Sequence, residues 1–95
     1  MDPLHAILRA HDRAIHACEA FDHATARQAL GLLRHALELD TAEARSFDSL
    51  YARCESAVDQ RDFVGPARRL RTLREAWSRA GEPRPLVTRT DRPLC

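Results

Sequence analysis

The sequence predicts an all-α protein: an antiparallel up-down-up-down four-helix bundle over residues 1–81, then an irregular Pro-containing C-terminal tail over 82–95. Three observations predict it. Apolar residues recur every three or four positions in four successive stretches, as one buried helix face requires. Only a few residues separate the stretches, and short connections force neighbouring helices to run antiparallel. Strand formers are scarce, with two Ile and three Val in 95 residues. A chain of this length holds one core and no more.

Asp2 is a good N-cap for helix 1, and Pro3 then takes the first helical position, where a missing N–H costs nothing. Leu4, Leu8, His11, Ile15 and Cys18 form its seam, and the helix ends near Ala20 or Phe21. Asp22 caps helix 2, placed from His23 to Leu39 with Ala26, Leu30, Leu33 and Leu37 facing the core. Asp40 or Thr41 caps helix 3, and Glu43 completes a capping box with Asp40. Helix 3 runs to about Val58 with Phe47, Leu50, Tyr51, Cys54 and Val58 on one stripe. Helix 4 starts at Asp62 or Gly65; Pro66 favours the later start, with Phe63 and Val64 packing beneath as a lead-in. Leu70, Leu73 and Trp77 are its seam, Gly81 its C-cap, and Pro83 and Pro85 prevent continuation. In the tail, Leu86 and Val87 either dock an extended segment on the bundle or belong to a free end.

Helix 2 carries more leucines than one seam needs. At about 100° per residue, Ala26, Leu30, Leu33 and Leu37 share one face, while Leu32 and Leu39 fall nearly opposite and Ala29 and Ala36 join the two groups. On one reading the extra leucines touch a flanking helix or the tail, or are scattered exposed residues, which are common. On the other, Leu32, Ala36 and Leu39 form a second groove that accepts a partner helix, or a homodimer face.

Chemistry is harder to find. The five His (His5, His11, His16, His23, His35) share no ligand spacing, and the paired Glu-x-x-His motifs of di-metal bundles are missing, so no metal and no cofactor is expected. Asp12 and His16, one turn apart, read as a surface pair, and His11 as a partly buried packing residue. Cys18 and Cys54 sit on core stripes with no Gly-rich turn nearby, so no catalytic residue is assigned and an enzyme is not expected. Three Cys without metal-like spacing suit a reducing compartment, hence the cytoplasm. Neither a signal peptide nor a membrane-inserting run is read from the sequence. Net charge is +1, which points to neither nucleic acid nor membrane. Arg68, Arg69, Arg71, Arg74 and Arg79 of helix 4 form a basic cluster, read as a solvated face in preference to a site for an acidic partner or phosphate.

Four short pieces, in order, resemble one family. His11-Asp12-Arg13-Ala14-Ile15 looks like its Tyr-Asp-Gly-Ala-Ile. Asp22 followed by Ala29-Leu30 through Leu39-Asp40 is similar to its second helix, and Leu50-Tyr51 matches its Leu-Tyr. Leu73-Arg74-Glu75-Ala76-Trp77 matches its Leu-Arg-Glu-Ala-Trp. The family is that of the flagellin-specific export chaperones (FliS). His11 stands here for an aromatic and Arg13 for Gly, and the chain is shorter around turns 1–2 and 3–4, which lie at one end of an up-down-up-down bundle. The resemblance makes Asp12, Ile15, Leu50, Tyr51, Leu73 and Trp77 core and motif positions. It implies a cytoplasmic chaperone of flagellar export, binding the disordered C-terminal segment of flagellin through apolar grooves so that it does not polymerise early. An export-gate component and a second copy of the chain are further candidate partners. Helix 2's extra leucines then become the client groove. The alternative is a small helical adaptor or dimerisation module with a client other than flagellin.

Overall fold

The computed structural model describes residues 3–37 and 39–80. It is an all-helical four-helix bundle: α1 (Pro3–Glu19), α2 (His23–His35), α3 (Ala42–Asp59) and α4 (Val64–Ala80). Each helix packs on its chain neighbours, and α4 closes the ring on α1, so the topology is up-down-up-down. The tail, with Leu86 and Val87, lies outside the described residues, as do the caps expected at Asp2 and Gly81. No described helix is long and apolar enough to cross a membrane.

The turns at one end share a construction. After α1, Phe21 N–H donates to Cys18 O (3.1 Å) and Asp22 N–H to Ala17 O (2.8 Å). After α3, Arg61 N–H donates to Val58 O (2.9 Å) and Asp62 N–H to Ala57 O (2.9 Å). Both are Schellman closures, and both place a non-glycine residue in the left-handed region, Phe21 at φ 57° and Arg61 at φ 66°. The aspartate that completes each closure then caps the next helix. Asp22 Oδ1 accepts from Thr25 N–H (3.1 Å) and Asp62 Oδ1 from Gly65 N–H (3.3 Å). Thus both starts considered for helix 4 contribute: Asp62 supplies the cap, while Pro66 lies in the first turn, where it forfeits little. The Arg61 side chain makes no hydrogen bond or ion pair among the described residues, so Arg61→Gly is expected to keep the backbone bond to Val58 and relieve the left-handed strain. It should raise unfolding stability by about 0.5–1 kcal/mol, read by urea denaturation.

Three expectations need correction. Helix 2 stops at His35, four residues short of Leu39, with Ala36 as its C-cap. Leu37 N–H turns back to Arg34 O (3.2 Å), which tightens the last turn, and the Leu37 side chain drops into the core from outside the helix. The apolar period therefore outlasts the helix, because a turn residue fills the position the next helical leucine would have taken. At helix 3, Thr41 caps through Oγ1 to Ala44 N–H (3.1 Å), so Glu43 is not at the capping-box position of Asp40 and serves instead as a first-turn acid. Val64 does not pack beneath α4; it is 67% exposed, and only Phe63 of that lead-in is buried.

The core runs the length of the bundle and includes Ile7, Ala14, Ile15, Cys18, Ala26, Leu30, Leu33, Tyr51, Cys54, Val58, Leu70, Leu73 and Trp77. Leu4, Leu8, Phe47 and Leu50 cover it and are only partly buried. Ion pairs line two of the four helix seams. His23, Arg27 and Arg34 of α2 face Asp59, Glu55 and Asp48 of α3 in a continuous ladder. His23 Nε2 meets Asp59 at 2.8 Å, Arg27 bridges Asp59 (3.2 Å) and Glu55 (3.1 Å), and Arg34 bridges Glu55 (2.7 Å) and Asp48 (2.8 Å). The hydrogen bond from His23 holds the Asp59 carboxyl below its ordinary range. Partly exposed pairs of this kind add little stability each, but as a set they fix the α2–α3 register. On the opposite seam, Asp12 of α1 receives two hydrogen bonds from Arg74 of α4 (2.6 and 3.3 Å), and Glu19 pairs with Arg71. The expected Asp12–His16 pair is therefore replaced by Asp12–Arg74, and two arginines of the helix 4 cluster serve helix pairing instead of solvent.

Candidate partner-binding site

Of the three residues expected to form a second face on helix 2, only Leu32 stands on a helix with its side chain presented to solvent. Leu30 and Leu33 of the same turn are fully buried, so the core is complete without Leu32, which is 53% exposed. Ala36 is the α2 C-cap and packs partly against the core. Leu39 lies in the turn before α3, 47% exposed, with its carbonyl accepting from Arg45 Nη1 (3.0 Å). The three therefore do not make a single helical stripe, and Leu86 and Val87 lie outside the described residues.

Leu32 instead meets α1. It lines a shallow depression on the outer side of the α1–α2 seam together with Ala6, Arg9, Ala10, Asp12, Arg13 and His16. Ala6 and Ala10 are one turn apart, as are Arg9 and Arg13, so α1 offers a small-residue row beside a cationic row. The sequence carried this signal in those two spacings. Its meaning depends on which side of α1 the Ala-rich face of α2 approaches, and that is a tertiary fact.

The motif residues have a different role. Tyr51 and Trp77 are fully buried with His11, and the three form a directed hydrogen-bond chain across α1, α3 and α4. His11 Nδ1–H donates to Ile7 O (2.9 Å), which leaves Nε2 of the neutral ring as an acceptor for the Tyr51 hydroxyl (2.8 Å). The Trp77 indole N–H donates to the same hydroxyl oxygen (3.0 Å). The His11 pKa falls from 6.5 to about 4, chiefly through burial and with a contribution from the nearby Arg74, against the bond to Ile7 and the charge of Asp12. Burial likewise pushes the Tyr51 hydroxyl above its ordinary value, against the Trp77 hydrogen bond. Phe47 packs against both aromatic rings, with centroids 6.1 Å from Tyr51 and 5.4 Å from Trp77. His11 is thus fully buried where partial burial was expected, and every polar side-chain atom of His11, Tyr51 and Trp77 has a partner. Ile15 and Leu73 are buried beside this layer, Leu50 is half-covered, and Asp12 is the α1–α4 tie.

Other chemistry is thinly supported. Among the described residues no group of three His, Cys, Asp or Glu is arranged to hold a metal ion. Cys18 and Cys54 are buried, and burial raises both thiols, Cys54 to about 11, so neither is a thiolate at neutral pH. Comparisons with protein-family models, with curated proteins and with solved structures found no match.

Proposed function

We propose that this bundle is a binding protein that holds a disordered, helix-forming client, and that the client is the C-terminal segment of a flagellin, as the resemblance to flagellar export chaperones implies. The observation that carries the reading is Leu32: a large apolar side chain left half in water by a core that is already full. Covering it with an apolar residue of a folding segment supplies free energy against the cost of ordering that segment. The reading needs no turnover chemistry and places the protein in the cytoplasm, where flagellin waits before export; a component of the export gate is its second candidate partner.

The test is a pull-down and titration with the C-terminal segment of the host's flagellin. Binding at tens of micromolar or tighter supports the reading, and its absence over that range removes it. Leu32→Arg is expected to weaken binding by about tenfold or more with the circular dichroism spectrum unchanged, because Leu32 contributes nothing to the core. Loss of helicity in that variant would instead return Leu32 to the fold.

The adaptor or dimerisation alternative draws on the other end of the bundle. Phe21 is 71% exposed and stands edge-on to Phe63 with ring centroids 5.6 Å apart, next to the turn that leads into exposed Val64. Sedimentation equilibrium separates the two readings: a dimer dispersed by Phe21→Ser favours the alternative.

A further inference from the structure

We infer that the outer α1–α2 seam is a docking surface for an acidic amphipathic helix of a protein partner. The inference rests on the client-binding reading and gives it a site and a client chemistry.

Unpaired positive charge and an exposed apolar side chain coincide there. Arg27 and Arg34 are matched by carboxylates on the α2–α3 seam, and Arg71 and Arg74 on the α1–α4 seam. Arg9 and Arg13 have no carboxylate partner among the described residues, although they stand side by side one turn apart on the exposed face of α1. The acid in their depression, Asp12, is committed to Arg74. His16 extends the row by one turn; Glu19, its nearest carboxylate at 3.9 Å, is engaged by Arg71. Two arginines without a carboxylate partner, and His16 with only a shared one, thus stand beside the exposed Leu32.

The apolar part fits a helix better than a loop. Ala6 and Ala10 present little bulk, so a second helix backbone can come close to α1, and Leu32 then enters the space between two turns of the visitor. A helix with a leucine stripe flanked by glutamates buries Leu32 and pairs Arg9 and Arg13 in one pose. Two other occupants fit the charge less well. Residues 82–95 carry Arg84, Arg89 and Arg92 against Glu82 and Asp91, an excess of the same sign as the surface. A second copy docked through the same patch would bring Arg9 and Arg13 against their own equivalents.

The test uses the full chain and two labelled synthetic peptides of about 18 residues with one leucine stripe, flanked in one by glutamate and in the other by lysine. Fluorescence anisotropy should show the acidic peptide binding at least about tenfold tighter, with the preference shrinking as salt is added. Arg9→Glu/Arg13→Glu should abolish that preference, Arg9→Ala/Arg13→Ala should reduce it, and Leu32→Ser should weaken binding about fivefold or more. Equal affinity for the two peptides, or acidic-peptide binding untouched by charge reversal, overturns the inference. It is also overturned by self-association that disappears on charge reversal, or by a peptide of residues 82–95 that displaces the acidic one. The flagellin reading fails separately. Flagellin-segment binding unaffected by charge reversal removes this site and keeps the client, whereas acidic-peptide binding without flagellin binding keeps the site and removes that client.

Discussion

Lowering the pH from 7 to about 4 is expected to take about 3 kcal/mol of unfolding stability from this protein through one residue, His11. In the unfolded chain the imidazole titrates near 6.5, whereas in the bundle its pKa falls to about 4, chiefly because burial penalises the charged ring. Between those values the unfolded state holds the extra proton and the native state does not. Stability is therefore complete above pH 6.5, declines as the pH falls through that window, and levels off near pH 4. The charged neighbours do not reverse the sign: Arg74 from α4 opposes protonation and Asp12 on α1 favours it, and the two are paired to each other. Protonation would also destroy the acceptor at Nε2, leaving the Tyr51 hydroxyl facing a donor. Carboxylates respond lower on the scale. Asp22 and Asp59 are held below their ordinary 3.8 by their hydrogen bonds, so whatever they contribute is lost only below that value. Urea unfolding of the natural protein and of His11→Gln at several pH values separates the effects. The natural protein should lose stability between pH 6.5 and 4.5 and His11→Gln should not; a flat profile for the natural protein would show that His11 is not buried neutral.

The helices and their order are legible in the sequence because each has a local cause: an apolar period, a capping Asp or Thr, and Pro at a tolerated position. Features whose cause lies elsewhere in the fold are not. Leu37 and Leu39 continue the helical spacing of α2, but Leu37 reaches the core from a turn, and no local property of the residue distinguishes the two routes. The left-handed residues Phe21 and Arg61 are neither Gly nor Asn, so the usual marker of a Schellman closure is missing. The aspartates after them were the better signal, since each closes one helix and caps the next. The α2–α3 ladder was legible in principle. His23, Arg27 and Arg34 are spaced four then seven residues apart, and Asp48, Glu55 and Asp59 seven then four, the mirrored order that antiparallel pairing requires. The candidate site was half legible. The surplus of leucines on α2 marked Leu32, but the wall opposite it belongs to α1, and only the packed pair of helices identifies Arg9 and Arg13 as its neighbours.

The largest mutational effects should fall on the layer formed by His11, Tyr51 and Trp77. Trp77→Ala removes the largest buried side chain of the core and should cost about 3–5 kcal/mol, a large share of the roughly 5–15 kcal/mol typical of a domain. Tyr51→Phe is the more informative change because it deletes a single oxygen. That oxygen accepts from the Trp77 indole and donates to His11, so its loss orphans one buried donor and one buried acceptor. Each orphan costs about 1–3 kcal/mol, and the substitution should destabilise by roughly 2–6 kcal/mol although packing volume barely changes. The same Tyr51→Phe made in a His11→Leu/Trp77→Phe background orphans nothing and should cost less than about 1 kcal/mol. The difference is the coupling within the chain of hydrogen bonds, measured by urea denaturation of the four proteins. An equal cost in both backgrounds would mean that the three groups act independently. The motif Tyr and Trp would then be conventional core aromatics, and the hydrogen bonds joining α1, α3 and α4 would contribute no specificity to the bundle.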